Sequence, residues 1–134
     1  MKKTYSGSCH CGAIRFAADL DISRGTTRCN CTICARNRLW SAEAGPGEVR
    51  LLAGADHLTD YTFNDRVAHH YFCRACGVHP YEFVDLPLEN RSYYNVSIVC
   101  LDDVDLAEVL AAPLEYVDGL HDRWDRAPAE TRHL

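Results

Sequence analysis

The sequence predicts a mostly β domain with one short helix. Apolar and polar residues alternate with a period of two through much of the first hundred residues. Turn-forming residues interrupt those runs at short intervals. A single stretch, past residue 101, spaces its apolar residues as a helix does.

In chain order, Ile14 and Phe16 alternate with Ala13, Arg15 and Ala17, a half-buried strand. Val49 to Leu52 is a short apolar run ending at Ala53-Gly54. Leu58 to Phe63 and Val67 to Phe72 flank Asn64-Asp65-Arg66 and predict a hairpin. Tyr81 to Val84 is a further strand, and Tyr93 to Cys100 is the longest. Tyr94, Val96, Ile98 and Cys100 share one face of that last run, which makes Cys100 a core thiol. Gly45-Pro46-Gly47 and residues 86–90 are loops. Asp102, Asp103 or Asp105 caps the helix, Leu106, Val109 and Leu110 form its stripe, and Pro113 lies past its end. Trp40, Tyr61, Phe63, Tyr71, Phe72, Tyr81 and Phe83 are expected in the core, with one available to wall a pocket.

The chain has 134 residues, 47% of them apolar and 25% charged, which suits one globular domain. We assign residues 1–126 to that domain and 127–134 to a polar tail. The net charge of −5 argues against a nucleic-acid or anionic-membrane partner, since both need a basic face. No apolar h-region follows Lys2 and Lys3, and no run approaches the roughly 18 apolar residues of a membrane span. The expected location is therefore the cytoplasm, where clustered thiols more often bind metal than form disulfides.

There are eight cysteines. Cys9 and Cys11 form C-x-C; Cys29, Cys31 and Cys34 form C-x-C-x-x-C; Cys73 and Cys76 form C-x-x-C followed by Gly77. Such spacing presents several sulfurs to one zinc at about 2.3 Å. It suits a disulfide poorly, because so small a ring strains the bridge. Seven thiols divide naturally into a closed set of four and an open set of three, and spacing by itself does not choose the partition.

Ser6-Gly7-Ser8-Cys9-His10-Cys11-Gly12, Cys29-Asn30-Cys31-Thr32-Ile33-Cys34, Phe72-Cys73-Arg74-Ala75-Cys76-Gly77-Val78-His79-Pro80 and Asn95-Val96-Ser97-Ile98-Val99-Cys100-Leu101 follow in that order. Together they resemble the glutathione-dependent formaldehyde-activating enzyme family, also called the centromere protein V/Gfa domain. The resemblance implies an Mss4-like, zinc-stabilised β-sheet fold with two zinc ions per chain. It implies that Cys9, Cys11, Cys73 and Cys76 hold a structural zinc, and that Cys29, Cys31 and Cys34 hold a catalytic one. The implied reaction joins glutathione and formaldehyde.

A zinc with three thiolates carries net −1, which suits a soft incoming thiol better than the making of hydroxide. The expected activity is a zinc-dependent carbon–sulfur lyase or thiol-adduct synthase acting on a small thiol and a small aldehyde. A non-catalytic zinc-stabilised partner-binding module and a zinc or redox sensor are the alternatives. Arg36 and Arg38 follow the triplet and are candidate binders of a substrate carboxylate. His10, His69, His70 and His79 lie near cysteines, but seven thiols already fill both sets. His79 is a candidate hydrogen-bond donor to a thiolate.

Overall fold

The computed structural model describes residues 1–134. Ten strands form two sheets. The smaller contains β1 (Lys3–Ser8), β2 (Arg15–Leu20) and β5 (Val49–Ala53), with β2 in the centre. The larger contains β3 (Thr26–Cys29), β4 (Trp40–Ala44), β6 (Leu58–Tyr61), β7 (Ala68–Cys73), β8 (Tyr81–Leu86), β9 (Arg91–Ser97) and β10 (Leu114–Val117). Its order is β10-β3-β4-β9-β8-β7-β6, antiparallel except where β10 runs parallel to β3. Two six-residue helices complete the fold, α1 (Thr32–Asn37) and α2 (Leu106–Ala111).

The core lies between the sheets. Phe16, Ala18 and Leu20 on β2 pack with Ala42 and Ala44 on β4, Tyr81 on β8 and Val96 on β9. The Phe16 ring meets Tyr81 edge-on, with centroids 5.2 Å apart. Gly7 pairs with Phe16 across β1 and β2. A side chain at Gly7 would occupy the space the Phe16 ring fills, so this position has room only for hydrogen.

The mostly β expectation is borne out. The hairpin forms as β6 and β7, in register from Leu58 opposite Cys73 to Tyr61 opposite His70. Asp105 caps α2, accepting from the Ala107 N–H at 2.9 Å. The long strand ends at Ser97, earlier than its alternation predicts, and a 3-10 turn carries Ile98–Cys100. Ile98 and Cys100 are still buried and Val99 exposed, because that turn also sends alternate residues to opposite sides. Cys100 is the core thiol expected, 6% exposed, and burial pushes it up from its ordinary pKa.

A second helix, α1, stands inside the cysteine triplet. The sequence predicts only α2, because α1, equally short, has neither a capping side chain before it nor the apolar stripe that Leu106, Val109 and Leu110 give α2. β1, β3, β4 and β10 also lie outside the predicted strand runs. β3 and β10 have only four residues each, with a charged residue within them, Arg28 and Glu115. Pairing with neighbours rather than propensity makes them strands. No helix is long and apolar enough to cross a membrane.

Candidate metal centres

Two tight turns build the first cluster. Cys9 and Cys11 sit in the turn between β1 and β2, where the Gly12 N–H donates to the Cys9 carbonyl at 3.1 Å. Cys73 ends β7, and the Gly77 N–H donates to the Cys73 carbonyl at 2.7 Å. Gly12 and Gly77 have φ of 79° and 75°, the left-handed region that favours glycine and lets each turn fold back. The two turns bring the Cys9, Cys11, Cys73 and Cys76 sulfurs within 4.8 Å of one another. Cys9 and Cys11 Sγ are 3.6 Å apart, and Cys11 and Cys73 Sγ 3.7 Å. A tetrahedral ion with metal–sulfur bonds of about 2.3 Å requires sulfurs about 3.8 Å apart. The same distances are far too long for disulfides, and all eight cysteines are free thiols.

Backbone N–H groups point at these sulfurs, as thiolates require. The Ile14 N–H donates to Cys9 Sγ at 3.3 Å. The Val78 and Cys11 N–H groups pull the Cys76 thiol down to about 6. Cys9 and Cys73 are buried, so this cluster ties the β1–β2 turn to the β7–β8 turn from within.

The second cluster is built around α1. Cys29 ends β3, Cys31 precedes the first turn of α1, and Cys34 lies within the helix. Their three sulfurs lie within 4.8 Å of one another. The Cys31 N–H donates to Cys29 Sγ at 3.3 Å. Hydrogen bonds from the Cys29 and Cys34 thiols hold Cys31 down to about 2, while Cys29 is pushed up to about 11. Cys34 is also raised, first by Cys29 and Cys31, then by burial and the Glu82 charge. A cation bound among the three sulfurs would replace their protons.

The chain beyond β10 closes this second cluster, a contribution the sequence does not reveal. Asn30, buried between Cys29 and Cys31 in sequence, donates to Asp118 Oδ1 at 2.7 Å and accepts from the Leu120 N–H at 3.0 Å. The Asn30 bond is the leading cause holding the Asp118 carboxyl below its ordinary range. A Cβ on Gly119 would stand 2.6 Å from Cys29 Sγ and 2.8 Å from the Trp124 ring. Gly119 therefore lets the backbone approach Cys29 closely. Composition around Asp118 and Gly119 carries no local sign of this role.

Other candidate residues fall as follows. Arg36 donates to the Thr32 carbonyl at 2.9 Å and lines a cleft of about 310 Å³ with Thr32, Ile33, Tyr61 and Phe63. Tyr61 is exposed, so it belongs to the wall of that cleft and not to the core. Arg38 caps the end of α1 in the left-handed conformation and is exposed. His79 differs from its expected role, since neither ring nitrogen has a hydrogen-bond partner. It lies beside His70 and Glu82 instead.

Both thiol clusters have the donor chemistry and spacing to hold zinc. A crystal structure of a Rhodobacter sphaeroides protein is similar to this chain, with a TM-score of 0.68 and 30% identity. The match covers 82% of this chain and 99% of that one. Residues 4–115 match the family of the glutathione-dependent formaldehyde-activating enzyme, whose fold is Mss4-like. On that match, over most of its length, this chain belongs to the glutathione-dependent formaldehyde-activating enzyme family.

Proposed function

We propose that this protein forms and cleaves a carbon–sulfur bond between glutathione, or a related small thiol, and formaldehyde or a similar aldehyde. Cys29, Cys31 and Cys34 are the catalytic zinc ligands in this reading; Cys9, Cys11, Cys73 and Cys76 hold a structural zinc. The observation that carries it is the convergence of three sulfurs, with no fourth protein donor in their group. Three ligands and a vacant position characterise catalytic zinc, four thiolates a structural one. Cys29, Cys31 and Cys34 would hold the zinc, which would supply thiolate from an added thiol at neutral pH, where a free thiol is mostly protonated.

In the forward direction the thiol sulfur bonds to the carbonyl carbon, the C=O π bond breaks, and the thiol proton ends on the new hydroxyl. Cleavage reverses these steps, so no oxidant or reductant is needed. Arg36 lines the cleft over α1 and would offset the anionic charge of a substrate carboxylate. Asn30, Asp118 and Gly119 keep the Cys29 end of the triplet in place.

Zinc-edge X-ray absorption with and without glutathione tests the reading, alongside turnover with glutathione and formaldehyde. The expected result is one added sulfur at the triplet metal and turnover that Cys31→Ser abolishes. An unchanged sulfur count together with no turnover overturns it and favours a binding module.

A further inference from the structure

A third group of ligand-type side chains lies outside both cysteine clusters. His70 on β7 stands directly opposite Glu82 on β8, and His79 enters from the turn that precedes β8. Candidate ligand atoms of the three residues all lie within 4.8 Å of one another. His70 and Glu82 are each 5% exposed. Phe63 stacks on the His70 ring at 5.4 Å, and the His79 ring lies 6.1 Å from it.

Buried polar atoms almost always have partners, because leaving one unpaired costs about 1–3 kcal/mol. Here five do not: both ring nitrogens of His70, both of His79, and Glu82 Oε2. Asn95 donates to Glu82 Oε1 at 2.7 Å, which fixes the carboxylate and leaves the other oxygen facing the histidines. His70 Nδ1 lies 2.8 Å from Glu82 Oε2 without hydrogen-bond alignment. That pair accounts for two of the five atoms at most.

We propose that His70, His79 and Glu82 bind a divalent transition-metal ion of their own, sharing no ligand with either thiolate set. Two neutral imidazoles and one carboxylate suit zinc and its neighbours in the first row, with bonds of about 2.0–2.2 Å. The ligand atoms, all within 4.8 Å of one another, need only small side-chain adjustments to reach that geometry. Burial favours neutral His79, the form a metal requires. Asn95 orients the carboxylate ligand from behind, as outer partners of metal sites do. A cleft of about 140 Å³, lined by both histidines with Ile33 and Asn37, gives the ion a path from solvent.

Zinc content per chain after equilibration with excess zinc and gel filtration tests the site. His79→Gln and Glu82→Gln are each expected to lower it by one ion relative to the wild type. Circular dichroism and the zinc–sulfur signal in absorption spectra should be unchanged. Equal zinc content in wild type and a folded variant overturns the proposal. Should both variants fail to fold, a zinc-edge anomalous map of wild-type crystals decides: a peak between the three side chains supports the site, and no peak overturns it. Neither readout uses activity, so this site and the carbon–sulfur chemistry can fail independently.

Discussion

Asn30 and Asp118, 88 positions apart, meet in a buried 2.7 Å hydrogen bond that ties the cysteine triplet to the chain after β10. Asn30→Ala removes that donor and the acceptor for the Leu120 N–H. The expected cost is about 1–3 kcal/mol of stability, the usual penalty for orphaning a buried polar partner. Urea denaturation measures it. A midpoint equal to wild type would mean that this anchor carries no weight.

Gly119→Ala places a methyl group against Cys29 Sγ and Trp124. The expected effect is a loss of roughly 10–100-fold in metal affinity at the triplet, as when groups supporting a ligand are disturbed. The cluster at Cys9, Cys11, Cys73 and Cys76 should keep its metal. Competition with a coloured chelator resolves the two classes of site, and equal affinity at both would refute the steric argument.

Cys73→Ser and Cys31→Ser should separate fold from chemistry. Cys73 is fully buried and joins two turns far apart in sequence. Structural zinc contributes on the order of 10 kcal/mol to folding in small domains, so Cys73→Ser is expected to unfold or to melt far lower. Cys31→Ser should retain its circular dichroism spectrum and lose metal only at the triplet. Comparable melting of the two variants would contradict these assignments.

Phe16→Ala empties the centre of the core and is expected to cost about 3–5 kcal/mol. Gly7→Ala should also destabilise, because its methyl group collides with the Phe16 ring. The double variant should lose less than the sum of the two, since removing the ring removes the collision. Strict additivity in a denaturation cycle would place the Gly7 effect elsewhere.

Asp19 gives a pH signature. Arg50 donates to both of its oxygens at 2.7 and 3.0 Å, Thr4 adds a third bond, and these partners hold the carboxyl down to about 2. A carboxyl whose folded pKa lies below its unfolded value stabilises above the unfolded pKa, and that contribution is lost as pH falls through the folded one. The melting-temperature advantage of wild type over Asp19→Asn should be constant from pH 7 to about 5, then shrink below about 4. An advantage that grows on acidification would be the wrong sign.

Much of the site chemistry is legible in the chain itself. Cysteines two or three positions apart are brought together by local geometry, so C-x-C and C-x-x-C announce candidate metal ligands before any fold is known. The β6–β7 hairpin is equally local, because its turn and its alternation are written in adjacent residues. The helix α1 is not, since no side chain caps its start and no apolar stripe runs along it, whereas α2, equally short, has both.

By itself, the sequence determined the fold class, the thiol clusters and the family resemblance, all of which rest on identity and short-range spacing. Tertiary structure decided which distant groups meet. Strand register puts His70 opposite Glu82, and the parallel pairing of β10 with β3 delivers Asp118 to Asn30 and Gly119 to Cys29. Such meetings depend on how whole sheets pair and pack, so no local pattern in the residues involved can announce them.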